Sequence, residues 1–326
     1  MQPNSSVRKR GFTLIELLTV VAIISLLIGL LVPAVNAART HAKNVAVLNL
    51  VTTLGKGCEM FNQDFGSYPQ SSGNNPFETG NVPLAGAQWL VLDLAGADLK
   101  GYVKQDKDRF YDSQPVGTPN GAIDYQDWRD WYSLTPSRDN FRRWGPYVSL
   151  DGKIAKSPER YAADAGIKLT PGIDPKNNAA GTSDWNNGKL PFIVDTFGFP
   201  VLYYVANAQA RKPFSDLDTD LPGIYTQWDN TPFTGSENGS LDGLDLGGGT
   251  THPLKTIGWT SVVPTERPHD NSFAEAVYDR GLFEQNMQPD GSGKVWPHRP
   301  DTFLIISAGK DGLYGTSDDV ANFEGK

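Results

Sequence analysis

The sequence predicts an α+β protein: one long N-terminal helix, then a loop-rich head built around a small antiparallel sheet. Three observations carry this expectation. Residues 12–32 form an apolar run, and a helical spacing of apolar side chains continues well past it. Most of the 34 glycines and 23 prolines lie beyond residue 66, which suits short strands and turns better than long helices. Within that part, short β-branched and aromatic runs are bounded by Gly, Pro or Asp, as strands are.

Between Phe12 and Val32 the only ionisable side chain is Glu16. At the α-helical rise this stretch covers roughly 30 Å, enough to cross a hydrocarbon core. Arg8, Lys9 and Arg10 precede it, as expected of a cytoplasmic flank. The run is longer than the apolar region of a secretory signal, and Pro33 to Ala38 offers no clean cleavage site because the helical pattern continues through it. A plain anchor leaves Glu16 unexplained, since an unpaired carboxylate in lipid costs at least a few kcal/mol on insertion scales.

Beyond Pro33 the spacing Val35, Ala38, Ala42, Val45, Leu48, Thr52, Leu54 and Cys58 marks an apolar stripe. The helix is thus expected from about Leu14 to Phe65, a length of roughly 75–80 Å. Pro33 removes one backbone donor, and a kink or local melting is expected there. Gly66 and Pro69 supply the stop. Further along, Val201–Ala206 and Phe303–Ser307 read as antiparallel strands, with Pro191–Val194 as a third candidate.

Composition excludes several functions. The net charge is −8, and losing the three leader cations makes the body −11, which argues against nucleic-acid binding. Cys58, the single cysteine, has no intrachain partner and reads as a packed thiol. The histidines His41, His252, His269 and His298 are scattered and form no zinc pattern. No phosphate-binding loop, dinucleotide fingerprint or nucleophile elbow is present, so no enzyme is predicted. Asp127, Asp130 and Glu159 are the acids nearest to a glycosidase pair, whose separation a sequence does not give. Asp216, Asp218 and Asp220 have calcium-loop spacing, but Leu221 and Gln227 stand where such a loop needs glycine and glutamate. Asp242 and Asp245 lie in a glycine-rich loop. Trp128, Trp131 and Trp144, near Tyr132 and Tyr147, are either core filling or a glycan-binding surface.

Lys9-Arg10-Gly11-Phe12-Thr13-Leu14-Ile15-Glu16 resembles the prepilin cleavage and methylation motif of type IV pilins and type II secretion pseudopilins. The resemblance implies that a membrane prepilin peptidase cuts between Gly11 and Phe12 and methylates the new amine of Phe12. It implies that Glu16 of one subunit neutralises that amine on its neighbour, a pairing that low dielectric strengthens. It also gives Pro33 the place of the pilin helix-kinking proline. Three further stretches, Trp144–Val148, Asp195–Tyr204 and Phe303–Gly312 with Thr316–Val320, are similar in order to landmarks of the major pseudopilin of type II secretion.

From the resemblance follow a leader at 1–11, a membrane and filament-core helix at 12–35, an amphipathic half at 36–66 and a periplasmic head at 67–326. The head is larger than the family's, with apparent insertions at about 70–143, 151–190 and 206–300, expected to project as loops with a few extra strands. Asp311, Asp318 and Asp319 surround two glycines, a composition that suits calcium, and the resemblance carries the family's calcium site onto them. The expected function is a structural subunit polymerised from the inner membrane by an assembly ATPase acting through a platform protein, either to drive export or to form a surface pilus. A membrane-anchored glycan-binding protein is the alternative of another class.

Overall fold

A computed structural model describes residues 14–73, 83–103, 143–165, 190–215, 222–237, 243–244 and 251–323. The chain divides into two compact units, Met1–Val45 and Ala46–Lys326. Helix α1, Leu14–Phe65, is 52 residues long and belongs to both. It runs without a break through Pro33, so the expected local melting is not seen. The residue four positions earlier is Gly29, whose backbone has wide latitude to turn its carbonyl from the proline ring. At the other end Gly66 adopts φ +72° and donates its N–H to the Asn62 carbonyl at 2.8 Å, a left-handed cap.

In the second unit α1 buries Val47, Val51, Leu54, Cys58 and Phe61, alternately four and three residues apart. This face differs from the expected stripe, because Val45, Leu48 and Thr52 are exposed. The sequence pattern is ambiguous here because apolar residues occupy more than one side of the helix, and the packing partners choose between them. One partner is α2, Gly86–Leu94, all of which is buried. A Cβ on Gly57 would lie 2.4 Å from the Val148 side chain and 3.3 Å from that of Leu94, so glycine sets how closely α1 approaches. Cys58 is buried and free, and burial pushes its thiol pKa well up, leaving the packed thiol expected from the sequence.

Two short antiparallel pairs flank α2: β1, Tyr102–Val103, with β2, Arg143–Trp144, and β3, Ala155–Lys156, with β4, Phe192–Ile193. Helix α3, Pro158–Ala165, follows β3. The main sheet is antiparallel, with order β5, Val201–Val205, then β6, Phe303–Ser307, then β7, Val320–Ala321. Two of the expected strands therefore pair as a central ladder, Val201 opposite Ser307 and Val205 opposite Phe303. The third candidate does not join them. Its residues turn back at Asp195 after one bridge, Val194 to Pro200, and β4 pairs with β3 instead.

The central ladder is covered on both faces. Val201, Tyr203, Phe303 and Ile305 pack into the core shared with α1 and α2. Leu202, Tyr204, Leu304 and Ile306 point the opposite way, as strand geometry requires. They enter a second core with Phe214, Tyr225, Phe233, Leu254, Trp259, Phe273 and Val277. The expectation that residues 206–300 project as loops is overturned by this packing. Short helices, among them α4, Thr231–Thr234, α5, Phe273–Val277, and α6, Arg280–Gln285, bring in Phe233, Phe273 and Phe283, while Phe214, Tyr225 and Trp259 enter from the connections, so the described residues of this region build a second core.

Two buried acids fix the chain as it leaves α1. Asp93 accepts the Gln70 N–H at 2.8 Å, and Asp229 accepts the Ser71 hydroxyl. Ser71 in turn accepts the Val205 N–H at 2.9 Å, tying the exit segment to β5. Burial raises the pKa of Asp93 to about 7 and that of Asp229 to about 8, with these hydrogen bonds opposing the shift. Both acids thus hold their protons longer in the folded chain than in the unfolded one. Their contribution is complete below about pH 4, falls while only the unfolded chain ionises, and levels off above pH 8. Thermal unfolding is expected to show falling stability from pH 5 to pH 9. Asp93→Asn, which keeps the acceptor, should reduce that fall by about 2–4 kcal/mol; an unchanged slope would disprove the assignment.

Candidate functional site

The described part of the N-terminal unit, residues 14–45, is a helix with no buried side chain. Every large aliphatic side chain from Leu14 to Val32 is exposed, between 46% and 80%. Its most apolar 18-residue stretch has a mean hydropathy of 2.8, with none of it buried in the chain. A contiguous surface of this kind is far larger than a monomer leaves in water, so lipid or other helices must cover it.

Glu16 is the acidic residue of the first turn of α1, on an exposed position. The partial positive charge of a helix N-terminus favours a carboxylate there, worth typically 0.3–1 kcal/mol. The helix start expected at about Leu14 already places Glu16 there. Gly11 and Phe12 lie outside the described residues, as do Asp127, Asp130, Trp128, Trp131, Tyr132, Asp216, Asp218, Asp220, Asp242 and Asp245.

The landmark stretches of the head each form a specific device. In the Asp195 hairpin, Oδ1 accepts the backbone N–H groups of Phe197, Gly198 and Phe199 at 2.8, 2.8 and 2.9 Å. Oδ2 accepts the Ser307 hydroxyl, which anchors the turn to β6. Gly198 has φ +102°, a conformation that only glycine adopts cheaply. The Tyr161 hydroxyl donates to the Gly198 carbonyl at 2.8 Å, and that of Tyr314 to the Pro200 carbonyl at 2.8 Å. Burial raises the Asp195 pKa, against the pull of Ser307 and the three amides.

The Gly-Pro-Tyr stretch clamps the end of α1. The Tyr147 hydroxyl donates to Asp64 at 2.6 Å, and its N–H donates to the Leu94 carbonyl at 2.8 Å. Phe65 meets Trp144 edge-on at 5.3 Å, and Phe61 meets Tyr147 at 5.6 Å. Trp144 is therefore structural filling, and Glu159 is an exposed side chain in the first turn of α3. His252 is also structural: it is buried beneath Tyr314, and burial lowers its pKa.

The acidic loop folds back on itself. Asp318 accepts the N–H groups of Lys310 and Asp311 at 2.7 and 3.1 Å. The Thr316 hydroxyl bridges the two acids, 3.1 Å from Asp311 and 2.7 Å from Asp318. Burial leads the rise of the Asp311 pKa, with Asp318 adding to it. For Asp318 the hydrogen bonds from Thr316 and the backbone outweigh burial and lower the pKa. Asp319 is the most buried acid of the loop: Oδ2 accepts the Gly315 N–H at 2.7 Å, Oδ1 is buried with no hydrogen-bond partner among the described residues, and burial raises its pKa to about 8. Among the described residues no three acidic, His or Cys side chains form one ready-made metal group. The Thr316 hydroxyl thus holds the Asp311 and Asp318 carboxylates together, and Asp319 lies near enough to both for their charges to raise its own pKa.

Residues 7–32 match the prokaryotic N-terminal methylation motif. A 59-residue stretch, 18% of the chain, is 44% identical to the type IV wide pilus major component PilA4 of Thermus thermophilus and covers 45% of that protein. The chain thus spans less than half the length of this relative. No solved structure matches it. With its exposed apolar helix, the chain is type IV prepilin-like at its N-terminus and fits a membrane-anchored filament subunit.

The Asp195 turn is expected to be a main determinant of head stability. Asp195→Ala leaves three amides and a buried hydroxyl without their acceptor, and should cost about 2–4 kcal/mol in a denaturant titration. Asp195→Asn should lose less, because its remaining oxygen still accepts from the turn.

Proposed function

We propose that the chain is a structural subunit of a type IV pilin-like filament, cut by prepilin peptidase after Gly11, methylated at Phe12 and polymerised from the inner membrane. The observation that carries this reading is an apolar half-helix, exposed along its length, directly behind a prepilin motif. Before assembly, lipid covers that helix. In a filament, equivalent helices cover one another, and Glu16 sits where it meets the cationic amine of a neighbour's Phe12. Opposite charges in such a medium attract over the distance that sets the axial stagger, while either charge alone is penalised. The head then faces the periplasm, an assembly ATPase and platform protein supply the force, and the chain's own work is mechanical.

Two finer readings divide this class. The order of the Gly-Pro-Tyr, Asp195-hairpin and acidic-loop landmarks supports a major pseudopilin of a type II secretion-like system. The relative that is a pilus component supports a subunit of a surface fibre. Deleting the gene separates them: exported proteins retained without any change in surface fibres support the pseudopilin, and loss of surface fibres supports the pilin.

For the acidic loop, calcium is proposed at Asp311 and Asp318, with the Thr316 hydroxyl as a further oxygen. A bound divalent cation would offset the Asp318 charge that otherwise adds to the rise of the Asp311 pKa. It would staple the start of the loop to its end, next to β7.

Glu16→Ala is expected to abolish filament assembly, scored by cross-linking or electron microscopy, while the head melts at the parental temperature. Intact-mass analysis of the membrane-extracted chain should show a methylated Phe12 start; an uncleaved Met1 start overturns the reading. Excess chelator should lower the melting temperature of the parent and leave that of Asp318→Asn unmoved; no shift in the parent removes the calcium proposal.

A further inference from the structure

We infer that the head carries a binding cleft for an acidic saccharide, formed where residues 211–213, 259–265 and 286–296 meet. The cleft has a volume of about 540 Å³, within the range of small-ligand sites. Its charged lining residues among those described are Arg211, Lys212 and Lys294, all cationic, on a chain whose net charge is −8. Such local reversal of sign selects an anion. Asp290, beside the rim, is engaged by the N–H and hydroxyl of Ser292 at 3.0 and 2.7 Å.

The walls are fixed by the core. The Ile224 N–H donates to the Lys212 carbonyl at 2.9 Å, and the Gly293 N–H donates to the Thr265 carbonyl at 2.8 Å. Trp259 is 6% exposed and packs edge-on against Phe214 at 5.8 Å. Its indole N–H is nevertheless buried with no acceptor among the described residues, an uncompensated donor in the wall of the cleft. Trp296, half-buried, has the Lys294 ammonium 5.3 Å from its ring centre, so one aromatic surface and one cation are presented together.

Aromatic surface, cations and the amide of Asn286 together suit a ligand with both a carboxylate and many hydroxyls. A uronic-acid sugar has this chemistry: the carboxylate meets the cations, the hydroxyls meet the amide, and the ring's apolar face meets the aromatic surface of Trp296. A deoxyribose phosphodiester chain fits less well, because its sugars carry no free hydroxyls along the chain for the amide to meet. The cleft lies wholly within the second unit, and its ligand is independent of membrane insertion and filament assembly.

The probe is trigalacturonic acid, titrated calorimetrically into the full chain in detergent, beside its methyl ester and an oligothymidylate. Trigalacturonic acid is expected to bind with tryptophan fluorescence changing in step, and the neutral ester at least about tenfold more weakly. Arg211→Glu and Lys294→Glu should each weaken binding by about tenfold or more at parental melting temperature. Should either charge reversal lower the melting temperature, the milder Arg211→Gln, on an exposed side chain, decides by the same loss of affinity. The inference is overturned by equal binding of the ester, tighter binding of oligothymidylate, parental affinity in the variants, or no binding of the acid.

Discussion

The pairing of β5 with β6 is the contact on which the rest of the head depends. Five consecutive residue pairs join two strands whose side chains are buried on both faces. Because successive side chains alternate, one short ladder feeds two cores at once. Tyr203, Phe303 and Ile305 serve the core of α1 and α2, while Leu202, Tyr204, Leu304 and Ile306 serve the core built by residues 206–300. Remove the ladder and neither core has a floor. The Asp195 turn, anchored to Ser307 at the end of β6, sets the register in which both are built.

Around that ladder the protein separates two tasks. Its first unit exposes an apolar helix that cannot remain in water, which makes association with lipid or with other copies a necessity. Its second unit closes its own cores and leaves polar side chains and a basic cleft outward. Helix α1 belongs to both, and its face changes character along its length: apolar nearly all round as far as Val35, mixed with Arg39, His41 and Lys43 beyond it, then buried where Val47, Val51, Leu54, Cys58 and Phe61 meet the head. Buried polar groups at the exit of α1 add direction to this packing. Asp93 and Asp229 fix the segment after Phe65 by hydrogen bonds that apolar contacts alone would not specify.

Much of this was legible in the chain. The extent of α1, the central strands and the prepilin motif follow from local signals: an uninterrupted apolar run, a glycine stop, β-branched runs between turn residues. The candidate site was legible only in part. Glu16 was singled out by its cost in lipid, and its place in the first turn of α1 agrees with the helix start expected at about Leu14. Asp311 and Asp318 do face one another, whereas Asp319, adjacent in sequence, turns its Oδ1 into the protein. Adjacent residues on a turn take different directions, and only the fold decides which acids converge. The cleft of Arg211, Trp259 and Lys294 had no signal at all, because its members come from three separate segments.

The sequence by itself determined a membrane-length helix with one acid, a cut site ahead of it, and an acidic, loop-rich α+β head behind it. Those are properties of composition and short-range spacing, which a chain carries whether folded or not. Tertiary structure alone decided which side of α1 is buried, that Phe192–Ile193 pairs with Ala155–Lys156, and that residues 206–300 form a second core. Each of those is a choice among long-range contacts of similar local propensity, settled by which apolar surfaces can cover one another completely.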